Sequence, residues 1–311
     1  MRAILPIAAS WPAPVKGALM MTGAACAFSV MIVLIRHTSQ ELHPFCVAFW
    51  RNAFGLVFML PWLAHRGLGG LKTHKLRLYG LRGIAGITAM LTWFYALSVM
   101  PMAEAVALSF TTPLFATIAA AVVLHETVRA RRWTATAIGF VGVLVILRPG
   151  VQAVSPAALL VLVSTIAVAF SVVVIKILSR SEPSNAIVTY MVIVLTPLSL
   201  PPALIFWSWP DWHTVLALAG IGLAGTIGHI GFTNAMRLAD ASAVLPIDYI
   251  RLPLVALAGY ALYGEAMDIF SWLGATIIIG STLYIAHREA AVARRSRQAV
   301  VVTPRSLRER P

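Results

Sequence analysis

The sequence predicts an all-α integral membrane protein of ten transmembrane helices, arranged as two inverted five-helix repeats. Three observations carry that expectation. Hydrophobic residues make up 59% of the 311 and charged ones only 11%, with a mean hydropathy of +0.86, whereas a soluble domain is about a quarter charged. Apolar runs of about 18 to 22 residues recur between short polar clusters, the length a helix needs to cross ~30 Å of hydrocarbon at 1.5 Å per residue. The second half of the chain also repeats the first.

Taken in order, Pro6, Pro12 and Pro14 interrupt the apolar stretch at the start, so residues 1–15 read as a short cytoplasmic lead and not as a cleaved signal. Spans follow at 16–35, 44–63, 76–98, 103–124 and 132–147, then at 156–178, 186–206, 212–236, 242–263 and 270–287. The alternating dyads of a membrane barrel are absent, which leaves helices. An even number of spans puts both termini on one side. That side holds 19 Lys and Arg, the other only Arg36 and Arg148, and Arg51, Arg82 and Arg251 lie within spans. The positive-inside rule then makes the termini cytoplasmic. The net charge of +13 is thereby topological and points to no nucleic acid. Residues 289–311 form a basic, polar cytoplasmic tail suited to anionic lipid. Cys26 and Cys46 sit in apolar segments without metal spacing and read as free thiols.

A shift of 139 residues superposes Ala96 on Ala235, Glu126 on Glu265 and Trp133 on Trp272, while Pro113 meets Pro253 at 140. The tetrad "AFSV" occurs at Ala27 to Val30 and again at Ala169 to Val172. Two units follow, 16–148 and 149–288, with five spans each. Five is odd, so the second unit enters the membrane from the opposite side. Inverted repeats serve secondary transporters, in which one half rocks against the other around a central site.

The stretch "ALSVMPMAEAVALSFTTPLFATIAAAVVLHETVRARRWTATAIGFVGVLVILRPG", with proline in mid-helix and glutamate at the helix end, resembles the EamA-like family of the drug/metabolite transporter superfamily. So does "HPFCVAFWRNAFGLVFMLPWL". The resemblance spans nearly the whole chain as two tandem units. It implies a multi-pass protein of the bacterial inner membrane, a cavity lined by the first four helices of each half, and the fifth and tenth helices at the periphery. It also implies transport of small metabolites such as amino acids, nucleoside-like compounds or metallophores. Export is the expected direction, with import of a vitamin or cofactor such as riboflavin or S-adenosylmethionine as the alternative. A non-transporting sensor or assembly subunit is the lesser alternative.

Helices interrupted at equivalent positions in the two halves point to a transporter's site. The fourth span carries "SFTTP" at Ser109 to Pro113 and the ninth "PIDYIRLP" at Pro246 to Pro253. A proline removes one backbone donor and frees the carbonyl four residues earlier, here those of Ser109 and Tyr249. Ser109, Thr111 and Thr112 supply hydroxyls at one break. Asp248 and Arg251, at i and i+3, share a face at the other. Each charge costs about 2.5 to 3.5 kcal/mol at mid-membrane, and such residues turn inward, pair and mark pathways. Whether this pair binds solute, carries a proton or only holds its own partner is left open.

Arg51 is a further deep charge, with Glu104 or a substrate carboxylate or phosphate as its companion. Trp93, Tyr95 and Tyr249 offer flat apolar contact. A histidine ordinarily titrates near neutral pH, so His229 joins Asp248 as a candidate proton carrier. Arg82 and Lys176 are expected to snorkel toward the interface. Gly222, Gly225, Gly228 and Gly231 recur every third residue and suit close helix packing. No P-loop occurs, so ATP drive within the chain is not expected; "LHETV" at His125 has no second ligand beside it and no catalytic cluster of His and carboxylates is seen, so no metal, cofactor or enzymatic activity is expected. The expected partners are a small-molecule metabolite and membrane lipid, and a homodimer is left open.

Overall fold

The computed structural model describes residues 12–67, 72–123, 130–150 and 153–302, which are helical with no β-strand among them. Glu126 and His125 fall outside the described residues, as do most of the lead and the end of the tail.

The first half runs α1 Ala13–Thr38, α2 Pro44–Arg66, α3 Leu76–Val99, α4 Met102–Ser109, α5 Thr112–Val123 and α6 Ala130–Leu147. The second runs α7 Pro156–Leu178, α8 Ser184–Ile205, α9 Trp212–Leu238, α10 Ala241–Val244, a 3-10 turn Leu245–Ile250, α11 Arg251–Tyr263 and α12 Ile269–Val302. The fourth pass is thus α4 plus α5, and the ninth is α10, the 3-10 turn and α11. Among the described residues, eight passes are long and apolar enough to cross a membrane. The other two, α3 and α6, pack among them, and α3 carries Arg77 and Arg82.

Helix starts follow local chemistry. Pro12 caps α1 and Pro14 lies in its first turn, where no backbone donor is needed. This is why the prolines that seemed to end the lead instead begin a 26-residue helix. Ser155 accepts from the backbone N–H of Ala157, and Asp211 from that of Thr214. At the other end of the chain, α12 continues to Val302 through most of the segment read as a tail. That segment is rich in Ala and Arg and lacks Gly and Pro before Pro304, so helix propensity carries it on.

The packing is symmetric under exchange of each pass with the one five later. The α1 helix packs on α9 as α3 packs on α7; α2 meets α9 as α3 meets α8; α5 meets α7 as the ninth pass meets α1. The pairs α2 with α8, α6 with α12 and α4 with α11 map onto themselves. Individual bonds obey the same relation. Arg36 donates to the carbonyls of Leu97 and Ser98 at 3.2 and 2.6 Å. Lys176 donates to the carbonyl of Met236, the residue 139 after Leu97, at 2.8 Å. The snorkel expected of Lys176 is therefore replaced by a bond to a helix end.

Away from the termini, the bundle is tied shut. Arg36 pairs with Glu265 at 2.7 Å, and the other Glu265 oxygen accepts the backbone N–H of Met102 at 2.9 Å. Arg148 pairs with Asp268, and Ser271 donates to Glu104 at 3.0 Å. These contacts join the first, third, fourth, fifth and tenth passes over buried Leu97, Met100 and Met102. Burial alone raises the Asp268 carboxyl, but hydrogen bonds from Ser271 and the charge of Arg148 outweigh it and hold the group below its ordinary range.

Candidate functional site

Both candidate passes are broken in mid-bundle. The turn at Phe110 and Thr111 separates α4 from α5, and the carbonyl of Ser109 is taken by the Thr112 hydroxyl at 2.8 Å. Ser109 and Thr111 also donate to their own helix, to Val106 and Leu108. In the ninth pass, Pro246 and Pro253 bracket the 3-10 turn that presents Asp248 and Tyr249.

Asp248 and Arg251 form an ion pair at 2.8 Å with both side chains 16% exposed. The pair is incomplete. Asp248 Oδ1 and Arg251 Nε are buried without a hydrogen-bond partner among the described residues. The Arg251 guanidinium lies 5.5 Å from the centroid of the Phe110 ring and 5.9 Å from that of Phe28. Cation–π contacts are worth about 2 kcal/mol when desolvated, so the rings offset part of the burial cost. Phe110 also meets Tyr249 edge to face at 4.8 Å, and the Tyr249 hydroxyl donates to Thr282.

The Phe28 ring links this pair to a second polar group. It also meets His229 edge to face at 5.2 Å. A Cβ on Gly228 would stand 2.5 Å from that ring, and one on Gly225 would stand 2.9 Å from the Arg51 guanidinium. The glycine spacing of α9 therefore does more than bring helices close. It makes room for Phe28 and Arg51.

Arg51 is 4% exposed and donates to Asn52 Oδ1 at 2.9 Å; Asn52 in turn donates to Ser199 at 3.2 Å. Glu104 is engaged by Ser271 instead. Arg82, also 4% exposed, does not snorkel: it donates to the carbonyl of Ile187 at 2.9 Å and to Met191 Sδ at 3.4 Å. The α8 helix offers it a carbonyl inside the bundle, which satisfies the donor without an approach to the interface.

Of the flat side chains, Trp93 is half-buried against the main core. Tyr95 is 38% exposed and lies beside His43 and Phe45 at the face away from the termini, remote from the charged pair. The structure thus brings together Asp248, Tyr249, Arg251, Phe110, Phe28 and His229. Sequence reasoning passed over Phe28, Asn52 and Phe110; the adjacent polar pair "RN" in an apolar span was the signal for Asn52.

Residues 15–148 and 155–286 each match the model of the EamA-like transporter family. The riboflavin transporter of Vibrio cholerae is 34% identical over 91% of this chain and 97% of its own. The S-adenosylmethionine uptake transporter of Rickettsia prowazekii is 31% identical, covering 84% and 89%. The pseudopaline exporter of Pseudomonas aeruginosa is 27% identical, covering 85% and 93%.

Proposed function

Because the chain belongs to the EamA-like transporter family, we propose that it is a secondary transporter for a small polar or amphipathic metabolite of the cofactor class. S-adenosylmethionine and riboflavin represent that class, and the proposed direction is uptake across the bacterial inner membrane. The two units, 16–148 and 149–288, rock against each other about the broken fourth and ninth passes. The basic terminal face is cytoplasmic, so the face tied by Arg36 and Glu265 is the periplasmic one.

The incomplete Asp248–Arg251 pair supports this reading best. A pair serving the fold alone gains by satisfying every buried polar atom, since each orphan costs about 1 to 3 kcal/mol. Here one acceptor and one donor stay unmatched at the site of the break. A solute N–H completes Asp248, and a solute oxygen completes Arg251. Flat parts of the solute lie against Tyr249 and Trp93, with Ser109, Thr111 and Thr112 lining the opposite break. Asp248 or His229 carries the coupled proton.

Export is the second reading, favoured by the likeness to the pseudopaline exporter. Labelled S-adenosylmethionine and riboflavin offered to intact cells and to inverted vesicles separate the two. Expression-dependent accumulation in cells supports uptake, accumulation in inverted vesicles alone supports export, and neither, for both compounds, overturns the cofactor reading.

A further inference from the structure

Arg51 and Arg82 are buried in the bundle, and among the described residues neither has a carboxylate partner. A buried cation is ordinarily paired. Arg51 stands seven residues into α2 and Arg82 six into α3, helices that run in opposite directions, so each lies roughly 10 Å inside a different face. A Cβ on Gly225, one turn before His229 on α9, would stand 2.9 Å from the Arg51 guanidinium, so Arg51 and His229 share one sector of the bundle, and Arg82 is near enough to act electrostatically on both. His229 keeps partial exposure, and its ring nitrogens have no hydrogen-bond partner among the described residues. One turn before it, Thr226 Oγ1 is a buried hydroxyl without a partner; beside Arg51 in α2, so is the indole nitrogen of Trp50. Three positive or proton-bearing groups on α2, α3 and α9 thus lie within electrostatic range of one another, with the spare Thr226 hydroxyl one turn from His229. The neighbouring acceptors are the Asn52 amide and the Ile187 carbonyl, both neutral.

We infer that this sector is an oxyanion subsite, separate from the Asp248–Arg251 pair across Phe28, and that the transported solute carries a carboxylate or phosphate group. The inference rests on the transporter reading and narrows its substrate class. Planar guanidinium donors suit such groups because they make two parallel charge-assisted bonds. The glycine at position 225 leaves room for the Arg51 head, since a methyl there would stand 2.9 Å from Nε and Nη2. With Arg51 reaching in from one face and Arg82 from the other, an oxyanion is passed between them as access alternates. Asp248 receives the solute's N–H or cationic group.

The test uses the full-length protein and two matched ligand pairs. S-adenosylmethionine is compared with its decarboxylated analogue, and flavin mononucleotide with riboflavin, by thermal shift and tryptophan fluorescence, with inorganic phosphate as competitor. The oxyanion member of at least one pair should bind about tenfold more tightly, and phosphate should compete. Arg51→Met and Arg82→Met should each bring that pair within about twofold, while Arg51→Lys keeps part of the preference. Equal binding within both pairs without phosphate competition overturns the subsite, as does preference that survives both Met variants. If a Met variant is not monodisperse, Arg51→Lys and phosphate competition on the unaltered protein decide by the same criteria. Discrimination that disappears in phosphatidylglycerol vesicles but persists in neutral ones assigns the oxyanion to a lipid headgroup and overturns the solute assignment. Flux of riboflavin without any oxyanion preference removes the subsite and leaves the transporter reading standing. Phosphate binding lost in Arg51→Met, with no flux of any of the four ligands, does the reverse.

Discussion

The rings of Phe110 and Tyr249 meet edge to face with 4.8 Å between centroids, and the two residues are 139 positions apart, the offset that superposes the halves of the chain. The two helix breaks therefore touch through equivalent residues, at the bundle's own axis of symmetry. Movement of one half against the other has to pass through this contact. Phe110→Ala should slow transport by tenfold or more and lower thermal stability, since truncating a buried Phe costs roughly 3 to 5 kcal/mol. Tyr249→Phe keeps the ring and loses the bond to Thr282, so it should cost only about 1 kcal/mol. Thermal unfolding in detergent beside initial flux rates checks both. Equal loss in the two variants would count against the ring contact.

Asp248→Asn keeps the size of the side chain and removes its charge. Transport should fall to background or lose its coupling, with membrane abundance near normal. Arg251→Met should be worse for abundance, because it strands a buried carboxylate, a change that costs about 3 to 5 kcal/mol. The double variant should regain abundance and not transport. Normal flux of Asp248→Asn between pH 5 and pH 8, read against quantitative blots, would make the pair purely structural.

These residues show how far the sequence could be read. Ten spans, the repeat and both helix breaks were legible because each depends on local chemistry: run length, proline and charge. The partners of buried arginines were not. Whether Arg51 finds Glu104 or Asn52 depends on how α2 rotates against α4 and α8, and nothing in the span itself fixes that rotation. Tyr95 is the clearest case: hydropathy places it near a span end without saying which way it faces, and it faces away from the pair. Phe28 was hidden for a related reason, being one apolar residue among many until Gly228 gave it a seat.

Glu265 holds both the Arg36 guanidinium and the backbone N–H of Met102. Glu265→Gln retains a weaker form of the second contact and loses the charge of the first. The face away from the termini should then open more often. With Met100→Cys in the background, reaction with a membrane-impermeant maleimide from that face should rise several-fold over the parent carrying Glu265. An unchanged labelling rate would show that the ion pair does not hold this face shut.

Acid should loosen the same face through Asp268. Its folded-state pKa lies below the ordinary value of about 3.9, so its contribution is fully present above that value and is lost as pH falls through the lowered one. The Tm should accordingly fall along an acid limb once pH drops below about 4, a range in which a thiol is too little ionised for maleimide labelling to report. Asp268→Asn should raise the labelling rate of Met100→Cys near neutrality and flatten that acid limb of Tm. A limb of unchanged height in Asp268→Asn would assign the acid response to another carboxylate.

Gly228→Ala offers the most local test of the site. The added methyl would lie 2.5 to 3.0 Å from three atoms of the Phe28 ring, which is confined between His229 and Arg251. The ring has to move, and the Arg251 guanidinium loses one of its two aromatic neighbours. Overpacking of this kind costs about 1 to 3 kcal/mol, so the variant should be made and inserted yet transport poorly. Gly225→Ala meets only the far ends of two flexible side chains, the Arg51 guanidinium at 2.9 Å and Met31 Sδ at 3.1 Å, and should be milder in stability. Phe28→Leu in the Gly228→Ala background should restore Tm by removing the clash while leaving transport low, because leucine has no ring face for Arg251. Recovery of both together would mean that the ring serves packing alone.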